Sequence, residues 1–116
     1  MVNRIVVGAH YGWRDWLVQR VTAAVMALYS VILALVLLPG GPLTYEAWKA
    51  LFARGWMRVA TLLFAASLAW HAWIGVRDIL MDYVKPTGVR LALQVLVILL
   101  LAGCLGWTAQ ILWGTP

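Results

Sequence analysis

Residues 71–86 read HAWIGVRDILMDYVKP. An imidazole, His71, interrupts an apolar run, and Asp78, Asp82 and Tyr83 follow within a few helical turns. An imidazole can ligate a metal or cofactor, relay a proton, or hydrogen-bond a neighbouring helix. A carboxylate can exchange protons, and a phenol can donate a hydrogen bond to a carbonyl. Positions 71, 75, 78 and 82 follow the i, i+4, i+7, i+11 pattern of one helix face. That face reads His71, Gly75, Asp78, Asp82, and Ser67 extends it one turn the other way. Gly75 has no side chain, so a flat or bulky group could approach the backbone closely beside His71.

Composition decides what holds these groups. Of the 116 residues, 65% are hydrophobic and 11% charged. Soluble domains run at about 45–50% apolar and about 25% charged. A soluble domain of this size could not bury so much apolar surface, so the natural solvent is a bilayer. Residues 21–38 and 91–113 carry no charge, and 59–76 has His71 as its only ionisable group. Each run is close to the roughly 20 residues needed to cross a hydrocarbon core of about 30 Å. Lipid offers no partners to backbone amides and carbonyls, so the runs must be helical. The expectation is an all-α membrane protein, one domain over 1–116, with transmembrane helices at about 14–38, 57–84 and 88–113. PGGP at 39–42 ends the first helix, since proline lacks an amide donor and glycine frees the backbone. Lys85, Pro86, Thr87 and Gly88 end the second. Thr44 could cap a short surface helix over 45–53.

Charge sets the orientation. Arg4, Arg14, Arg20, Arg77, Lys85 and Arg90 fall on one side, against Lys49, Arg54 and Arg58 on the other. The more basic side faces the cytoplasm, which puts the N-terminus inside and the C-terminus in the periplasm. Trp13 and Trp16 at one end and Trp56 and Trp113 at the other suit the membrane interfaces. The basic residues sit singly at the ends of apolar runs and form no patch, which argues against nucleic acid despite a net charge of +5. A single cysteine, Cys104, can build neither a disulfide framework nor a thiolate metal site. The N-terminal MVNRIVVGAHYGWRDW lacks the features of a secretory signal and of a mitochondrial transit peptide, which favours a bacterial source.

His71 lies six residues before Arg77, roughly 9 Å along the helix and therefore inside the hydrocarbon. Ionisable groups at that depth usually face a bundle interior or a cavity. A helix–helix hydrogen bond, a cofactor ligand and a proton relay all remain open for it. Arg20 can sit at a similar depth to His71, where the simplest role for its guanidinium is snorkelling to the headgroups. Tyr83 could be an interfacial anchor and Asp82 a solvated acid at a helix end. A haem with two axial ligands would need a second one from elsewhere. The other histidine, His10, precedes the first span on the far side of Arg14, so that ligand would come from another chain.

The chain resembles the smaller hydrophobic membrane anchor subunit of bacterial succinate dehydrogenases. LVQRVTA at 17–23, LTYEAWKALF at 43–52, HAWIGVRDILMDYVKP at 71–86 and RLALQ at 90–94 carry the resemblance, which covers nearly the whole chain. The stretch from 71 to 86 is the most specific. The resemblance implies that His71 is an axial ligand to a b-type haem, a metal-binding role shared with the larger anchor subunit. It implies that Arg20 lies near the haem propionates, that Tyr83 hydrogen-bonds a ubiquinone carbonyl, and that Asp82 assists protonation there. It gives Arg77 and Asp78 no firm role. The implied partners are a cytochrome b anchor subunit, an iron–sulfur subunit and a flavoprotein subunit in the bacterial inner membrane. The chain has no flavin-binding glycine fingerprint and no cysteine cluster, so succinate oxidation would belong to those other subunits. This chain would contribute to the quinone site, within the tricarboxylic acid cycle and aerobic electron transport.

Two other classes compete with that reading. A small proton- or solute-translocating subunit would use His71 as a relay, yet the preceding half of its span offers only Thr61 and Ser67. A purely structural adaptor would have no need of a histidine at that depth.

Overall fold

A computed structural model describes residues 9–114. Its elements are α1 (Ala9–Leu37), a tight 3-10 turn at Leu38–Gly40, α2 (Tyr45–Ala53), α3 (Gly55–Tyr83) and α4 (Thr87–Gly114). The described residues contain helices and connecting turns only. Helices α1, α3 and α4 are long and apolar enough to cross a membrane. At about 1.5 Å per residue each is roughly 42–44 Å long, so both ends of each helix extend beyond a hydrocarbon core of about 30 Å.

The observed ends differ from the expected ones chiefly at the start of α1, which begins at Ala9 and not near residue 14. The apolar run marks where lipid begins, but a helix need not stop at that boundary. Here Arg14 and Asp15 sit within α1, and Asp15 finds a cationic partner on α3. Between α1 and α2, Gly41 has φ +74°, a left-handed conformation that glycine adopts without steric penalty. Thr44 caps α2: its Oγ1 accepts a hydrogen bond from the Ala47 amide at 3.1 Å. The far end of α2 is closed by Arg58, whose Nε donates to the Phe52 carbonyl at 2.8 Å. That bond satisfies one of the carbonyls that a helix end leaves unpaired.

Helix α3 lies in the middle, with α1 packed on one side and α4 on the other. Residue 15 of α1 meets residue 77 of α3, and residue 29 meets residue 61, so the two helices are antiparallel. A small core joins α1, α2 and α3 near the end where α1 stops and α3 begins. Tyr29, Leu51 and the wholly buried Met57 form it, flanked by Leu33, Val36, Leu37, Phe52, Ala60 and Phe64. The Tyr29 ring stacks on Phe64, with centroids 4.7 Å apart. Leu28, Leu63, Leu99 and Trp107 point outward and are exposed, as expected of helices solvated by lipid or by another chain's helices.

Candidate functional site

Three polar pairs link α1 to α3. At one end Arg77 donates to Asp15 across the helices, and its guanidinium also lies 3.6 Å from Asp78. In the middle, Thr22 Oγ1 and His71 Nδ1 are 3.0 Å apart. Farther along, the Tyr29 and Thr61 hydroxyls are hydrogen-bonded at 2.7 Å. Asp15, Thr22 and Tyr29 are spaced seven residues apart, two turns each, so they share the α1 face turned to α3. This stripe is the signal that a sequence reading centred on residues 71–86 passes over. It gives Arg77 and Asp78 a structural place: with Asp15 they clamp the ends of two helices together. At the same end, Gln19 Oε1 and Arg77 Nε are buried without hydrogen-bond partners among the described residues.

His71 is half-buried, and Thr22 is only 5% exposed. The histidine therefore makes the helix–helix hydrogen bond that the sequence left open. That bond uses one ring nitrogen. Nε2 has no hydrogen-bond partner among the described residues. Gly75 lies one turn on from His71, and a β-carbon there would meet nothing within 4 Å. Packing inside this chain thus does not require the glycine, while an outside group could use the close approach it permits. The described residues contain no cluster of three or more histidines, cysteines and acids able to hold a metal ion. His71 stands alone, so iron held there would need its other protein ligand from a second chain, an arrangement that haem iron allows.

Arg20 is placed differently from the histidine. It precedes Thr22 by two residues, so it lies within about 3 Å of the same depth but roughly 200° around the helix. Its side chain is exposed, with the guanidinium carbon 5.6 Å from the Trp16 ring centroid. The structure brings His71 and Thr22 together and leaves Arg20 on another side of α1. Asp82 and Tyr83 occupy the last turn of α3, both exposed, Tyr83 at 79%. Tyr83 is twelve residues beyond His71, about 18 Å along the axis. Asp82 is on the same face as His71, and Tyr83 is about a third of a turn away. A cavity of about 470 Å³ opens at the opposite end of the bundle, between α2, α3 and α4, and none of these four residues lines it.

Residues 3–105 match the family model described as the succinate dehydrogenase/fumarate reductase transmembrane subunit. The chain is also similar to the succinate dehydrogenase hydrophobic membrane anchor subunit of Coxiella burnetii (strain RSA 493 / Nine Mile phase I). The two are 46% identical over 102 residues, which is 88% of this chain and 89% of the relative. A multi-pass helical chain matched so completely belongs to the succinate dehydrogenase/fumarate reductase transmembrane subunit family.

Proposed function

We propose that this chain anchors a succinate dehydrogenase in the bacterial inner membrane, helps to hold a b-type haem shared with a second anchor subunit, and forms part of the ubiquinone site. The observation that carries the reading is the match to a named anchor subunit along nearly the whole chain. The catalytic flavoprotein and iron–sulfur subunits, with a second anchor of the cytochrome b type, complete the complex. Its net reaction moves two electrons from succinate to ubiquinone: succinate releases two protons to water at the catalytic subunits, and the quinone takes up two protons from cytoplasmic water.

His71 would hold the iron through Nε2, the nitrogen that packing between α1 and α3 leaves unbonded. When bound, the haem supplies a one-electron carrier beside the quinone route. Gly75 permits close approach of the ring system to α3. Arg20, at a similar depth, pairs with a propionate; a guanidinium suits a carboxylate because it can donate two parallel hydrogen bonds. At the end of α3 the Tyr83 phenol donates to a quinone carbonyl and stabilises the charge that develops on that oxygen during reduction. Asp82, exposed next to it, passes protons between water and the site. The exposure of Asp82 and Tyr83 supports a site that is closed by the partner subunits.

The test is a reduced-minus-oxidised visible spectrum of the complex purified through a tag on this chain. A b-type signal that succinate develops, with flavin and iron–sulfur subunits co-purifying, is the expected result. His71→Ala is expected to remove most of that signal. An unchanged spectrum in the variant would assign the ligand elsewhere, and a complex without haem or partners would sink the reading.

A further inference from the structure

Among the described residues Thr22 is the one buried polar side chain, and the function proposed above leaves it without a task. Its hydroxyl has a single proton. Thr22 Oγ1 lies 2.6 Å from the Val18 carbonyl oxygen and 3.3 Å from that of Gln19. Carbonyl oxygens only accept, and two oxygens at 2.6 Å repel unless a proton lies between them. The threonine proton is therefore donated to Val18. The remaining contact, 3.0 Å to His71 Nδ1, can be a hydrogen bond only if the imidazole donates and Thr22 Oγ1 accepts. A neutral imidazole carries one N–H, so Nε2 is left with its lone pair.

We infer that Thr22 is a positioning residue for His71: it fixes the Nδ1–H tautomer and the ring plane, so that Nε2 presents its lone pair to iron. The inference rests on the proposal that His71 is a haem ligand. Its physical basis is the general arrangement in which a ligating histidine donates its other N–H to a fixed acceptor, which orients the ring and raises its basicity. The backbone of α1 holds the acceptor in turn, because the bond to Val18 fixes the rotamer of Thr22. A more basic imidazole stabilises ferric over ferrous haem, so losing the acceptor should raise the haem midpoint potential.

The experiment is a redox titration of haem, with haem content per flavin, in the purified complex carrying Thr22→Ser, Thr22→Cys or Thr22→Val. Serine keeps the oxygen acceptor, a thiol accepts weakly, and valine has the shape of threonine without a hydroxyl. The expected order of potentials is Ser close to unsubstituted, then Cys, then Val highest, with haem content falling in the same direction. If the valine complex fails to assemble, the Ser and Cys pair decides. Equal potentials across the series, or a serine variant displaced as far as valine, would overturn the role of Thr22. The anchor reading fails separately, and takes this inference with it, if the unsubstituted complex contains no haem or His71→Ala leaves the spectrum unchanged.

Discussion

At the scale of single residues, the site divides into groups that this chain holds in place and groups that it leaves to its partners. His71 is tied to Thr22, whereas Asp82 and Tyr83 stand exposed at the end of α3. Their proposed roles predict different failures. Tyr83→Phe keeps the ring and removes one donor, so quinone reduction should fall by about tenfold or more, consistent with a lost hydrogen bond to developing charge. Succinate oxidation measured with an artificial acceptor should stay intact. A parallel loss of both activities would point to faulty assembly. The four candidate residues were legible in the sequence because each combines an ionisable or hydrogen-bonding group with an unusual depth or a helix end. Thr22 was not. A threonine in an apolar run carries no charge, and its own helix can satisfy its hydroxyl, as the bond to Val18 shows. Only the approach of α3 reveals that the same oxygen also meets an imidazole 49 residues away.

At the scale of elements, hydrophobic runs located the three long helices, because in lipid the backbone has no alternative to internal hydrogen bonds. The Thr44 cap of α2 was equally readable, since it depends on residues three apart in the chain. Packing order was not readable. Nearly every face of these helices is apolar, so no amphipathic stripe says which side meets which neighbour. The polar pairs carry that information, and they predict graded effects. Tyr29→Phe keeps the stack on Phe64 but deletes the bond to Thr61. Interhelical hydrogen bonds in membranes average about 0.6 kcal/mol and reach about 1.7 kcal/mol, so thermal melts of the purified complex should show a small loss of stability. The haem spectrum should not change, since this pair lies more than one turn from Thr22 and His71. A spectral change would mean that the two pairs are coupled through the α1–α3 interface.

At the scale of the whole molecule, three long helices place the two ends of the chain on opposite sides if each crosses the membrane once. The balance of arginine and lysine predicts a cytoplasmic N-terminus. Alkaline phosphatase, which is active only after export, should therefore be active when fused after residue 114 and silent when fused in the turn at residues 84–86. The reverse pattern would invert the orientation and move Tyr83 and Asp82 away from cytoplasmic protons. The three helices are not equal partners. Helix α4 packs on α3 and buries only Leu112, whereas the three side-chain polar pairs described above join α1 to α3. Synthesis runs from the N-terminus, so all six partners of those pairs have been made before the ribosome reaches Thr87, the first residue of α4. The pairs that set His71 thus draw nothing from α4, so the α1–α3 hairpin carries the orientation of the histidine by itself.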